Sequence, residues 1–197
     1  AAAITRAMAA RVAQTAEAEG DDERLARLSL SAKIFCSDGA GQVADLALQL
    51  FGGSGYIEDT GLALLVRDAR VTRIFEGAND VLQSHVGLQE LLTPRDDAPP
   101  PELAPICEAV RARRDALCDD QRKPGVRALR RSAEHHALGR AVVWRDAAWA
   151  AMARARGEGE RATASLMCDL ALEVVRAPGI TTVPPELTAA LLSGAVP

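Results

Sequence analysis

One carboxylate in this sequence has the setting that chemistry needs. Glu76 lies in Ile74-Phe75-Glu76-Gly77-Ala78-Asn79, with apolar residues before it and a glycine after it, just ahead of a helical pattern. That setting predicts a poorly solvated carboxyl group whose charged form is disfavoured and whose pKa rises. Such a group suits general-base work near neutral pH, and Gly77 would let a ligand approach the backbone closely. On these residues alone a second reading stays open, an acid at a helix N-terminus that favours the helix dipole. Upstream, Gln49-Leu50-Phe51-Gly52-Gly53 offers N–H groups free of side-chain obstruction. Such a turn can cradle a phosphate, or merely stop a helix. Arg67-Asp68 with Arg70, and Arg73 after them, suit either an anion or an internal charge network that fixes a turn.

Other chemistries find less support. His135 and His136 are adjacent, with only Glu134 near them, and His85 stands apart, so no metal-ligand spacing is present. Cys36, Cys107, Cys118 and Cys168 are far apart and form no C-x-x-C. They read as free thiols in a reducing compartment, with Cys118, beside Asp119 and Asp120, the most exposed. The serines lie in no nucleophile elbow, and no G-x-G-x-x-G follows a strand. The net charge of −4 argues against a general nucleic-acid binder.

The elements that would position these residues are helical. Hydrophobic residues are 48% of the 197, but much of that share is alanine and aromatics are only 3%. Alanine buries little area yet lets helices approach closely, so the composition predicts a core of tightly packed helices. Apolar spacing predicts a helix over 1–19 and a longer one from Asp22 to about Leu50, its small residues Ala32 and Gly39 marking close contact with another helix. A helical turn over 61–67, an extended stretch over 71–75 and a helix from about Ala78 or Asn79 to Leu92 follow. Thr93 to Pro101 contains three consecutive prolines and reads as a linker. Beyond it come helices over about 101–119, 125–156 and 160–177, and a short one after Pro184-Pro185. The fold class is all-α: a first unit over 1–92, a linker over 93–101 and a second helical unit over 102–197.

Three strings in one order change the weights: Q-x-F-G-G-x-G-Y (Gln49 to Tyr56), R-D-A-R-V (Arg67 to Val71) and I-F-E-G-x-N-D (Ile74 to Asp80). Together they resemble the acyl-CoA dehydrogenase family, FAD enzymes of fatty acyl-CoA oxidation. The resemblance implies that residues 1–92 are the greater part of the family's C-terminal domain, an up-and-down four-helix bundle. It implies that Glu76 takes the α-proton of the acyl-CoA thioester while the flavin takes the β-hydride, giving the trans-2-enoyl-CoA. The Glu76 N–H would polarise the thioester carbonyl, with Phe75 and Gly77 lining the thioester. Ala78, Asn79 and Asp80 would contact FAD at a helix N-terminus. Gln49, Gly52 and Gly53 would hold FAD bound to a neighbouring subunit. The family usually has Thr where this chain has Ala78, which weakens one flavin contact. Residues 102–197 are similar, less specifically, to the extra helical domain of very-long-chain members.

The family's N-terminal helical and middle β-domains have no counterpart among these residues, so the expectation is a C-terminal portion that alone neither holds FAD tightly nor turns over. Implied partners are those domains, acyl-CoA, an electron-transfer flavoprotein and a second or further copy, as homodimer or tetramer. Two alternatives are a non-catalytic oligomerisation or scaffold module, and a docking surface for a membrane or partner over 102–197, where Arg111 to Arg131 is basic. Without a signal-peptide pattern or a bilayer-length apolar run, the expected location is cytoplasmic, with the inner membrane face open to a peripheral extension.

Overall fold

The computed structural model describes residues 2–17, 22–95, 98–119 and 132–177. The fold is all-α, and no strand occurs among the described residues. In chain order the helices are α1 (Ala2–Glu17), α2 (Asp22–Tyr56), α3 (Leu62–Val71), α4 (Asn79–Leu92), α5 (Ala104–Asp119), α6 (Ser132–Arg154) and α7 (Glu158–Arg176). Asp22 and Glu23 start α2 where the helix dipole favours acids. Leu28, Ser31 and Ile34 follow at three-residue steps and are its buried stripe. Gly52, at φ 57 and ψ −141, breaks the helix near its end. Glu160 starts α7 by accepting from the Arg156 and Gly157 N–H groups.

The centre of the molecule is α6. Leu138, Ala141, Val142, Val143, Ala147, Ala148 and Ala150 are all buried, so the helix is enclosed on most sides rather than along one stripe. It packs against α1, α2, α4, α5 and α7, while α2 packs against α1, α3 and α4. One cluster joins Ile34 and Val86 to Leu103, Ile106, Val110, Leu138 and Val175. A second, richer in alanine, joins Ala7 and Met8 to Ala147, Ala151, Ala164, Met167 and Leu170. Phe35 meets Trp144 edge-on at 5.4 Å. Packing thus runs across the linker: residues before 93 and after 101 share one core.

Two features hold α4 against α6. Their backbones touch, because a Cβ on Gly87 would lie 1.9 Å from the His135 carbonyl oxygen and one on Gly139 would lie 1.8 Å from that of Gln83. Only hydrogen fits at either position. One turn on, Arg145 donates to both carboxylate oxygens of Glu90, at 2.9 and 3.2 Å, and Nε faces Asp146 at 3.3 Å. All of these groups are buried. Burial alone would pull the Arg145 pKa down, but Asp146 and Glu90 outweigh it and hold the pKa above its ordinary value. Asp146 also accepts from Ser31 on α2 and from Arg95 in the linker. Arg95 and Arg11 both lie over the Trp149 ring, at 5.7 and 5.1 Å.

Several expectations are corrected. The stretch over 71–75 is not extended: Val71 ends α3 and 72–76 is a run of turns. Thr72 Oγ1 donates to the Ala69 carbonyl and Arg73 and Ile74 donate back to Arg70 and Val71, so local bonds fold the stretch back on itself. The close helix approach is at Gly87 and Gly139, not Gly39, where a Cβ would meet nothing within 4 Å. The turn at 61–67 is longer, as α3. Residues 125–131 of the long helix and the helix after Pro184-Pro185 lie outside the described residues.

Gly87→Ala drives a methyl group into the His135 carbonyl and should cost about 2–3 kcal/mol, as overpacking does; urea unfolding checks this. Burial pushes the thiols of Cys36, Cys107 and Cys168 up, the last to about 11, while Cys118 is exposed. Iodoacetamide at pH 8 should therefore label Cys118 first and the others only after unfolding, read by mass spectrometry.

Candidate active site

The Glu76 segment is held by one buried amide. Asn79 is 4% exposed at the start of α4. Its Nδ2 donates to Ser37 Oγ and Asp38 Oδ1, both at 2.9 Å, and its Oδ1 accepts from Lys33 Nζ at 2.7 Å. Lys33 also donates to the Gly77 carbonyl at 2.7 Å, and Arg73 Nε to Asp38 at 2.7 Å. The Asn79 N–H closes the loop on the Arg73 carbonyl at 3.1 Å. Residues 73–79 are therefore pinned at both ends to one turn of α2. Burial pulls the Lys33 pKa down, and the charges of Asp38 and Glu76 oppose it, so Glu76 lies within electrostatic reach of Lys33.

Within this pinned segment the backbone is strained. Glu76 has φ 55, and among the described residues no other non-glycine residue has a positive φ. Gly77 follows at φ 104, where a Cβ would also meet Leu82 Cδ2 at 2.9 Å. The left-handed region costs a side-chain-bearing residue about 1–2 kcal/mol, and such strain concentrates at functional sites. No hydrogen bond within the described residues uses the N–H of Glu76, Gly77 or Ala78. The Ala78 N-cap supplies no side-chain bond to α4.

Other expectations are met differently. Glu76 is exposed, so this chain's residues do not supply the poor solvation predicted for it. Phe75 is also exposed, as are Ile74 and Val81 around it. Asn79 has its side chain and its N–H committed to bonds within the chain. Ala78 and Asp80 stay accessible. Gln49, Gly52 and Gly53 are exposed near the break in α2. They are not brought to Glu76: 16 helical residues separate Gly52 from Cys36, beside the anchor, or about 24 Å at 1.5 Å per residue. Of the arginines, Arg67 pairs with both oxygens of Glu58 at 2.9 and 3.2 Å and Arg73 with Asp38, which is the internal-network reading. His135 is buried, His136 half-buried and His85 exposed. Sequence reasoning missed Lys33, Ser37 and Asp38. Their signal is a set of polar residues beside the buried stripe of α2, with Ser31 and Ser37 on it.

Residues 1–90 match the family model described as Acyl-CoA dehydrogenase, C-terminal domain. Among curated proteins, the mouse (Mus musculus) very long-chain specific acyl-CoA dehydrogenase, mitochondrial, is 51% identical over 57 residues, 29% of this chain and 9% of that protein. The cyclohexane-1-carbonyl-CoA dehydrogenase of Geobacter metallireducens is 44% identical over 59 residues, 30% of this chain and 16% of that one. The probable acyl-CoA dehydrogenase fadE25 of Mycobacterium leprae is 42% identical over 69 residues, 35% and 18% of the two. The chain thus spans between 9% and 18% of the length of these relatives.

Asn79→Ala removes the shared partner of Lys33, Ser37 and Asp38. Stability should fall by about 1–3 kcal/mol, the cost of leaving buried polar groups unpaired, and amides over 73–79 should exchange faster. Urea unfolding and hydrogen exchange read the two effects.

Proposed function

We propose that this chain, whose residues 1–90 match the model of the acyl-CoA dehydrogenase C-terminal domain, is the C-terminal part of an FAD-dependent enzyme that converts a fatty acyl-CoA to its trans-2-enoyl-CoA. The observation that carries this reading is the strained, pinned turn. Glu76 is held at φ 55 with its N–H unpaired, between apolar Phe75 and small Gly77. The Glu76 carboxylate takes the α-proton. Its N–H donates to the thioester carbonyl and stabilises the negative charge that develops there. FAD, when bound, would supply the acceptor for the β-hydride, which carries two electrons and one proton from the substrate, while the other proton leaves on Glu76.

The residues here fit FAD at one point of geometry. The start of α4 has no side-chain cap, and the N–H groups of Asp80 and Val81 enter no hydrogen bond within the described residues, which leaves donors for an anionic or carbonyl group. Ala78 and Asp80 would make that contact, while Asn79 keeps the segment in place. Gln49, Gly52 and Gly53, about 24 Å along α2, would serve FAD in a neighbouring subunit. The exposed Leu50, Phe51, Tyr56, Ile57, Leu64 and Leu65 near them ask for a covering surface. In this reading the other domains of the enzyme and a further copy of it supply that cover, and cover at Glu76 supplies the desolvation a base needs. Residues 1–92 and 102–197 are kept as two sequence units that share a core, and an electron-transfer flavoprotein reoxidises the flavin.

The exposure of Glu76 favours a second reading, a helical scaffold that retains the family's shape without its reaction. Among the described residues no helix is long and apolar enough to cross a membrane. Most of the basic stretch from Arg111 to Arg131 falls outside the described residues.

Glu76→Gln in the FAD-loaded enzyme separates the two. Turnover should fall by a factor of about 10²–10⁴, the usual contribution of a general base, with the flavin spectrum retained; unchanged turnover sinks the catalytic reading. The 197-residue chain alone should be colourless and inactive with acyl-CoA.

A further inference from the structure

We infer that α6, which follows the linker, positions the Glu76 turn, with His136 and Gly139 as positioning residues that never touch the reacting atoms. This rests on the reading of Glu76 as the base. Glu76 lies three residues before α4 begins, so the direction of α4 sets where the turn points. The most extensive contact of α4 is with α6, well ahead of its contact with α2. The contact acts at successive levels. At the first turn, His136 Nδ1 lies 3.3 Å from the Asp80 carbonyl oxygen, a hydrogen bond when Nδ1 carries the proton. At the middle, the Gly139 backbone touches Gln83 and Gly87. At the far end, Arg145 grips Glu90.

Helix α6 also packs on α2, the helix that carries Lys33, Ser37 and Asp38. Ser31 of α2 donates to Asp146 at 2.8 Å. Asn79 and its α2 partners keep their register because both helices are fixed to the same third helix.

The geometry gives a magnitude. A methyl group on Gly139 would begin 1.8 Å from the Gln83 carbonyl and must move out beyond 3.0 Å, so α4 shifts by about 1 Å or tilts. From Gly87 to Asp80 the lever is about 10 Å, and a tilt of only about 5° moves the first turn by about 1 Å. A displacement of that size at a reacting group costs roughly a hundred-fold in rate.

The test uses the FAD-loaded enzyme, saturating acyl-CoA and its α-deuterated form. Gly139→Ala should lower kcat by about a hundred-fold and His136→Ala by about ten-fold, a part of the same displacement. KM should stay unchanged, and the isotope effect on α-C–H cleavage should rise as proton removal becomes limiting. His136→Asn, which returns a donor near the Nδ1 position, should restore most of the loss. Val110→Ala, a core truncation on α5, should lower stability without moving the isotope effect. In the 197-residue chain, His136→Ala should speed amide exchange at Asn79 and Leu82, the hydrogen-bonded amides of this segment, and leave 164–175 as it was. If Gly139→Ala does not fold, the His136 variants decide. Wild-type kcat, isotope effect and exchange in His136→Ala, with turnover lost in Glu76→Gln, overturn this inference and leave the base reading intact. Turnover kept in Glu76→Gln overturns the base reading, and with it the claim that α6 positions a base, while exchange at Asn79 and Leu82 still reports whether α6 orders the turn.

Discussion

The geometry of the candidate site depends on one buried amide. Asn79 joins α4 to α2 through both ends of its side chain, and its N–H closes the loop that carries Glu76. An amide suits this position because it donates and accepts at once. A carboxylate there would repel Asp38, and an apolar group would strand Lys33 and Asp38 in a half-buried place. The anchor also explains how a strained residue can stand in an exposed segment: its ends are over-determined while its middle is free.

The anchor is stable only because the helices that carry it are themselves fixed, and here the composition matters. A core rich in alanine releases little free energy per side chain, so close backbone approach and well-paired buried charge must supply the definition that large side chains give elsewhere. Gly87 against Gly139 is the first of these devices. The second is Arg145 and Arg95 with Glu90 and Asp146, two charges of each sign, a cluster whose net contribution is modest but whose disruption on one side would leave a buried charge uncompensated, at about 3–5 kcal/mol. Both devices choose one packing of α4 on α6 over its neighbours in register.

Helical content was legible in the sequence because the apolar spacing of α2, α4, α5 and α7 is regular and glycine and proline mark most of their ends. The motif around Glu76 was legible as a string. Its solvent exposure was not, since apolar neighbours in sequence do not ensure apolar neighbours in space. The turns at 72–76 read as an extended stretch because the sequence does not display what decides the local shape, the hydroxyl of Thr72 and the return bonds to Arg70 and Val71. The Gly87–Gly139 contact joins residues 52 apart, and the Glu90–Arg145 pair joins residues 55 apart. No window along the chain contains either. A sequence can flag a glycine within a helix, but it does not say which other glycine it meets.

The positive φ at Glu76 has a consequence for how this molecule could change. At that torsion the most comfortable residue is glycine, so the replacement that relaxes the backbone is also the one that deletes the acid, and the chain would gain about 1–2 kcal/mol by it. Thermodynamic drift and chemical usefulness pull in opposite directions at that position. Screening libraries for heat resistance alone would tend to erase the carboxylate, whereas screening for turnover would keep a molecule that is, at one torsion, permanently uncomfortable.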